Sequence, residues 1–388
     1  MAKSLTFRER LQRAPILVDG AVGTLLYARG VPYERGFDVL NATRPALVEN
    51  LHREYLAAGA EVIETNTFGA NRLRLAQQGL DAQVRELNAL GVRLAHAARA
   101  DVARGAYVAG AIGPIGQPLE PIGTISLAEA RAAFAEQAAA LAEAGADLLI
   151  LETFSDLREL REAIIAARGA CDLPLVAQMS FTADGRTPTG ETPEEVARTL
   201  EALGVDALGA NCGVGPQVAL DVIGGMAAVA RTPLVAQPNA GFPGRVGGRI
   251  FYLSTPQYLA EYARQFIAAG ATLVGGCCGT TPEHIRAMAA VLAAERARPA
   301  LVSAPPRAPT SAGPSAVAPP EPTPLAQSLA EGRFVICAEL EPPAGPRLDA
   351  LLAVADDLAA RGVDCVTVSE PRVPRGHVSG LAVAARLR

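Results

Sequence analysis

The chain has 388 residues, half of them hydrophobic, 19% charged and 4% aromatic with no Trp, and its net charge is -5. That length holds an α/β barrel of about 250 residues plus something smaller. The acidic balance argues against a basic nucleic-acid groove or binding to an anionic membrane, and the shortage of aromatics argues against base-stacking platforms and aromatic cages. Charge is scattered through the opening MAKSLTFRERLQRAPILVDG, where a signal peptide would carry an apolar core, and no run approaches 18 apolar residues free of Gly and charge, so a cytoplasmic protein is expected. Strand candidates follow at 16–19, 61–66, 107–112, 147–152, 174–180, 206–211, 233–238 and 272–277, each leading into an amphipathic helix up to about residue 296. A cadence recurs through them, as in LAAGAEVIETNTF (56–68) and LAEAGADLLILETF (141–154): a helix ending in Ala-Gly-Ala or Leu-Gly-Val, a polar residue, then an apolar run. Eight βα units in this span predict a (β/α)8 TIM barrel over residues 1–297. No Gly-x-Gly-x-x-Gly opens a helix after the first strand, which leaves a dinucleotide-binding doubly wound sheet without support.

Residues 298–326 read as a stiff, solvated linker, since 299–324 hold nine Pro in 26 positions with Ala and Ser filling most of the rest. Beyond it, strands at 334–341 and 364–369 and helices near 347–361 and 379–388 make two further βα units. Two units cannot close a barrel, so residues 327–388 are expected to be the opening of a second, incomplete barrel.

In a TIM barrel, chemistry gathers at the C-terminal ends of the strands. The residues expected there are Asp19, the Glu64-Thr65-Asn66 run, Glu152, Ser180, the Asn211-Cys212 pair, Asn239, and Cys277 with Cys278. The sixth and eighth strands flank the seventh, so Cys212 can approach the vicinal pair. Three thiolates with a fourth position left open are the pattern of a catalytic zinc rather than a closed structural one. Six cysteines are too few for a disulfide scaffold. Cys171, Cys337 and Cys365 read as small buried hydrophobes. The glycines of Gly-Gly-Cys-Cys-Gly permit the backbone turn that brings both sulfurs to one ion. His52, His96, His284 and His377 lack metal spacing and read as solvated or helix-capping residues.

The motifs Val-Asp-Gly-Ala-Val-Gly-Thr (18–24), Glu-Thr-Asn-Thr-Phe-Gly-Ala-Asn (64–71), Leu-Glu-Thr-Phe (151–154), Ala-Asn-Cys-Gly (210–213), Pro-Asn-Ala-Gly (238–241) and Gly-Gly-Cys-Cys-Gly-Thr-Thr-Pro (275–282) together resemble the homocysteine S-methyltransferase family. That family includes the homocysteine-binding barrel of cobalamin-dependent methionine synthase. The resemblance spans about residues 10–296 and implies Zn2+ held by Cys212, Cys277 and Cys278, with the homocysteine thiol as incoming ligand. A thiol of pKa near 8.5 is mostly protonated at neutral pH, and coordination removes the proton, giving a thiolate nucleophile with no general base. Asp19 and Glu152 would then hold the substrate ammonium. Backbone amides of the turn starting at Gly20 and of the Ser180 region would take its carboxylate. Asn239 would fill the fourth metal position without substrate, or hydrogen-bond beside it.

Phe-Val-Ile-Cys-Ala-Glu-Leu-Glu-Pro-Pro-Ala-Gly (334–345) is similar to the first strand of the methylenetetrahydrofolate reductase barrel, which implies a folate acid at Glu339. The order of segments resembles bifunctional homocysteine methyltransferase/methylenetetrahydrofolate reductase proteins. A complete reductase would bind FAD, but no reductase activity is expected from these residues. Expected partners are homocysteine and a methyl donor: S-methylmethionine, S-adenosylmethionine, or a methyl-cobalamin/methyl-folate system. Loops 181–192 and 241–256 are expected to shape the donor's access. The alternatives are a module that loads homocysteine for a corrinoid partner and a structural three-cysteine zinc barrel without turnover. Oligomeric state leaves no mark in the sequence.

Overall fold

Eight parallel strands form one sheet: β1 (Ile16–Leu17), β2 (Val62–Glu64), β3 (Tyr107–Ile112), β4 (Leu148–Phe154), β5 (Leu175–Met179), β6 (Ala207–Asn211), β7 (Leu234–Gln237) and, after a hairpin of β8 (Gly244–Val246) and β9 (Arg249–Phe251), β10 (Ala271–Val274). The computed structural model describes residues 5–32, 36–102, 105–246, 249–297, 323–341, 348–369, 383 and 386. Neighbours run β1-β10-β7-β6-β5-β4-β3-β2. A parallel bridge between Val18 and Val62, with the Asp19 N–H donating to Val62 O at 3.0 Å, joins the two ends and closes the ring. The predicted TIM barrel is therefore the observed fold, and all eight strand candidates overlap a strand.

The recurring cadence has a local cause. Gly59, Gly145, Gly204 and Gly270 take φ of 112°, 95°, 69° and 105° at the ends of helices, the left-handed cap that turns the chain toward the next strand. At the other ends, Ser126 with Glu129 and Thr192 with Glu195 form capping boxes, and Pro45, Pro193, Pro216 and Pro256 occupy the first helical turn. The helices pack outside the sheet against residues such as Leu149, Leu151, Leu175 and Leu208. A second apolar layer fills the barrel: Ile16, Val18, Val62, Ala109, Leu148, Ile150, Val176, Val235 and Leu273, closed at the bottom by Phe7 and Leu11.

Two segments differ from the sequence expectation. The 241–256 loop contains the antiparallel β8–β9 hairpin, in which Gly244 pairs with Phe251 and Val246 with Arg249. The Gly-Gly dipeptide between the two runs is a hairpin signal in the sequence. At the end of the proline-rich stretch, Thr323 caps a helix, Pro324–Ala330, because proline at the first helical position is an initiator rather than a breaker.

The chain divides into two compact units, Met1–Leu301 and Val302–Arg388. In the second, β11 (Cys337–Leu340) and β12 (Cys365–Val368) pair in parallel around a helix, Asp349–Ala360, with Leu340, Leu351, Ala355 and Val383 as its small core. The helix expected near 379–388 lies outside the described residues except for Val383 and Arg386, as does His377. Among the described residues no helix is long and apolar enough to cross a membrane.

His52, in the helix Pro45–Ala58, is fully buried and neither ring nitrogen has a hydrogen-bond partner. Burial lowers its pKa from 6.5 to about 4. The unfolded chain takes up this proton first, so the stability it contributes is complete above pH 6.5 and is lost as pH falls toward 4, by about 3 kcal/mol. We expect His52→Leu to remove most of that acid limb in denaturation measured across this range; an undiminished limb in the variant would assign it to other groups.

Candidate active site and metal centre

Inward-facing positions change character from the bottom of the barrel to its C-terminal rim. Val62, Ile150, Val176 and Val235 face the interior. Two residues further along each strand, on the same face, stand Glu64, Glu152, Gln178 and Gln237. A polar layer thus lies on the apolar one, and the rim residues stand above it.

The strands end in turns that sheet geometry would not produce. Cys212 and Thr153 take φ of 56° and 63°, a left-handed conformation costing about 1–2 kcal/mol in a non-glycine residue. Cys212 is held by its N–H to Gln237 O at 3.2 Å, and Thr153 by its N–H to Asn211 Oδ1 at 2.7 Å. After β10, a Cβ at Gly276 would lie 2.4 Å from Thr280 Cγ2, and Gly279, at φ 81°, has the Tyr252 ring 2.1 Å from where a Cβ would be. The 275–282 loop is laced to the loop after β1. Thr280 Oγ1 donates to Cys277 O (2.7 Å) and accepts from the Ala21 N–H (3.0 Å), and the Tyr55 hydroxyl donates to Ala21 O (2.7 Å). At Gly20 a Cβ would meet Thr280 Oγ1 at 2.6 Å, so glycine there lets the two loops close.

Cys212, Cys277 and Cys278 are all half-buried, and their sulfurs lie within 4.8 Å of one another. Sulfurs on a tetrahedral Zn2+ with bonds of about 2.3 Å stand about 3.8 Å apart; those of Cys212 and Cys278 are 3.8 Å apart. Hydrogen bonds from the other two thiols hold Cys212 well below the usual thiol range, and those same bonds raise Cys277 and push Cys278 up to about 12. Three thiols this close cannot all ionise without a cation beside them. The donor set fits zinc. Asn239 Oδ1 is buried without a partner. The Tyr252 ring lies against Gly279, next to Cys278 in the chain.

Asn211 links the sulfurs to the carboxyls. Its Nδ2 lies 3.2 Å from Glu152 Oε2, 2.8 Å from Thr153 Oγ1 and 3.8 Å from Cys277 Sγ. Asp19 is fully buried; its Oδ2 accepts the Glu64 N–H at 3.0 Å and its Oδ1 has no partner. Glu64 Oε1 accepts from Gln237 Nε2 at 2.8 Å, and Gln237 Oε1 from Gln178 Nε2 at 2.7 Å. Burial first, then repulsion from Glu64, holds Asp19 and Glu152 well above the carboxylate range, and burial pushes Glu64 up to about 7. Among the described residues no cationic side chain bears on any of the three. The buried atoms without partners at this rim, Asp19 Oδ1, Gln178 Oε1 and Asn239 Oδ1, are all acceptors. A ligand bringing several N–H donors and a positive charge, such as an ammonium, is what this lining lacks.

Cys212, Cys277, Cys278, Asp19, Glu152 and Asn239 come together at one rim, beside Gly20. Ser180 is adjacent, but its hydroxyl donates to Asn211 O (2.9 Å) and its N–H to Phe154 O (2.7 Å), so neither is left for a ligand. Cys171 lies at a helix end, Cys337 and Cys365 lie opposite each other across β11–β12, and Glu339 is exposed on β11. His284 caps its helix, with its ring bonded to Thr281 and to Ser254 O. Gln178, Gln237 and Tyr252 carried no motif, Thr153 stood in one without a role, and only the period of two along β5 and β7 could have marked the glutamines.

Zn2+ is expected to protect three of the six cysteines from a thiol reagent, and Cys212→Ala to abolish the protection of the other two. Equal reactivity with and without zinc would show that the sulfurs do not share an ion.

Residues 16–292 match the family described as homocysteine S-methyltransferase. Methionine synthase of Mycobacterium tuberculosis (strain ATCC 25618 / H37Rv) is 36% identical over 298 residues, covering 73% of this chain and 25% of that protein. Methionine synthase of Mycobacterium leprae (strain TN) is 34% identical over 300 residues, again 25% of its length. The match thus spans about a quarter of these curated relatives. Among solved structures, the homocysteine methyltransferase MmuM from Escherichia coli in its metallated form superposes with a TM-score of 0.62 at 28% identity, covering 72% of this chain and 96% of that one. Its apo form gives 0.58 at 29% identity.

Proposed function

The chain belongs to the homocysteine S-methyltransferase family, and from that premise we propose that it transfers a methyl group to the thiol of homocysteine, giving methionine. The observation that carries the reading is the meeting, on one rim, of three sulfurs at zinc spacing with a buried, acceptor-rich carboxyl lining on which no described cation bears. Cys212, Cys277 and Cys278 would hold Zn2+, which when bound lowers the pKa of an incoming thiol and so supplies a thiolate at neutral pH. Asp19 and Glu152 bind and orient the substrate ammonium, Asp19 through its unpartnered Oδ1. Asn211 holds the Glu152 carboxylate at a fixed distance from the sulfurs, so that amino-acid binding places the thiol. The sulfur lone pair forms the new S–CH3 bond as the donor's bond to the methyl breaks, its electron pair leaving with the donor.

S-methylmethionine, S-adenosylmethionine and a methyl-cobalamin or methyl-folate system remain the candidate donors, reaching the thiol past loops 181–192 and 241–256. A second reading is favoured by one observation, that the matched region is only a quarter of the methionine synthase relatives. In it, the barrel activates homocysteine for a methyl-corrinoid partner. For residues 327–388 we keep the reading of a reductase-like opening with Glu339 at the folate-acid position, and we expect no flavin absorbance from this chain.

Purified protein is expected to contain about one zinc per chain and to release a proton when homocysteine binds. Donors added singly then decide the chemistry: methionine formed from a sulfonium donor alone supports the first reading, and a requirement for methyl-cobalamin supports the second. No methionine with any donor, from zinc-loaded protein, would sink both. Asp19→Asn is expected to lower kcat/KM for homocysteine by about 10- to 100-fold, the size of a lost charge-assisted hydrogen bond, with zinc content retained.

A further inference from the structure

Two of the three sulfurs and the acid Asp19 stand on different loops, and these loops meet through one buried hydroxyl. Thr280 is 1% exposed. Its Oγ1 donates to the carbonyl of Cys277, a sulfur-bearing residue, at 2.7 Å and accepts the N–H of Ala21, two residues beyond Asp19, at 3.0 Å. The other side of the same turn is held by Tyr55, whose hydroxyl donates to Ala21 O at 2.7 Å. Two further bonds flank this tie: the Gly276 N–H donates to Asp19 O at 3.1 Å, and the Gly279 N–H to Thr24 Oγ1 at 2.9 Å. The first follows directly on the β1–β10 pairing, in which Leu17 lies opposite Val274. Thr280 reaches further, to the turn past the end of β1. The approach is close, since a Cβ at Gly20 would lie 2.6 Å from Thr280 Oγ1.

We propose that Thr280 is a positioning residue that couples the metal site to the amino-acid site. Its hydroxyl makes the turn carrying Asp19 and Gly20 depend on the loop carrying Cys277 and Cys278, so that a metal on the sulfurs tightens the binding of an α-amino acid and the amino acid tightens the metal. The coupling rests on the proposed function and deepens it. Sulfurs drawn onto one ion fix the Cys277 peptide, and through the Thr280 hydroxyl they fix the Ala21 N–H. The turn is then ordered before the amino acid arrives, which binds more tightly because it no longer has to order the turn itself. Linkage makes the factor the same in both directions. Valine has nearly the shape of threonine with neither donor nor acceptor, so Thr280→Val removes the tie between the loops at both ends.

The probe is 2-aminobutyrate, which is homocysteine without its sulfur and so makes no thiolate bond to the metal. Calorimetric titration of the full, reduced chain is expected to show it binding about 10-fold more tightly to zinc-loaded than to metal-free protein, and zinc gaining the same factor when the amino acid is present. In Thr280→Val the factor is expected to fall below about twofold, and Thr280→Ser, which keeps the hydroxyl, to recover it. A factor undiminished in Thr280→Val would assign the coupling to the charge of the metal site and overturn the role of Thr280. Amide exchange is the independent readout: zinc alone is expected to slow exchange at Ala21 about 10-fold in the wild type and to leave it unchanged in Thr280→Val. A wild-type Ala21 amide indifferent to zinc would overturn the proposal whether or not the Val variant folds. The parent reading fails separately. A chain in which zinc protects Ala21 through Thr280, but which binds neither homocysteine nor 2-aminobutyrate, would overturn homocysteine as substrate and leave the tie between the loops standing.

Discussion

Negative charge without a counter-ion is the constraint around which the rim of this barrel is organised. Three thiols and three carboxyls converge there, and among the described residues no cationic side chain bears on the carboxyls. Burial already holds the Asp19 and Glu152 carboxyls well above their usual range. Such a lining is a poor solution for folding, because each buried acid costs free energy that an apolar residue would not. It is a good solution for binding two different cations at a set distance. On the proposed function, a metal would relieve the sulfurs, an ammonium would relieve the carboxyls, and a molecule with a thiol two methylenes from its amino-bearing carbon would bridge the two.

That distance is fixed by backbone rather than by flexible side chains. Asn211 has its amide between Glu152 and Cys277, its carbonyl on the Thr153 N–H and its own backbone oxygen on the Ser180 hydroxyl. Through it the ends of β4, β5 and β6 form one unit. The loops after β1 and β10 are stitched by Thr280, Tyr55 and Ala21. The left-handed turns at Thr153 and Cys212 are tolerated because both N–H groups are pinned across strands. Strain and glycine conformational entropy are thus concentrated where the sulfurs must turn inward, and the cost is offset by the apolar layers beneath.

The sequence made the barrel legible because its signals are local: a left-handed glycine after several of the helices, a four- to seven-residue apolar run, and a helix cap. It also exposed the cysteines, since vicinal thiols among glycines have no packing rationale. Glu64 and Asn211 were visible as rim residues without a role, because what they do depends on neighbours from other strands. Gln178 and Gln237 were hidden altogether. Each sits in an apolar run as the one polar residue, and only the assembled ring shows that they join end to end beneath Glu64. Ser180 went the other way: its position suggested a free donor, and the neighbouring strand ends consume both of its N–H and O–H groups.

The thiol side and the donor side of the site are built differently. Everything that would touch homocysteine belongs to strand ends or to the laced loops after β1, β4, β6, β7 and β10, and it is buried or half-buried. The two loops expected to meet the donor answer mainly to themselves. In 181–192, Thr182 bonds Asp184 and the Arg186 carbonyl, and Thr187 and Thr189 both bond Glu191. In 241–256, the β8–β9 hairpin closes on itself, and Phe242 and Leu253 are 60% and 77% exposed. Among the described residues the ties of 241–256 to the barrel are few: Ser254 to Ala240 O and to the His284 ring, and Tyr252 against Gly279. Outside them these segments can change in sequence without disturbing the strands that hold sulfur and carboxyl in place. On the proposed function, recognition of the acceptor would belong to the barrel, and the choice of methyl donor to loops with few ties to it.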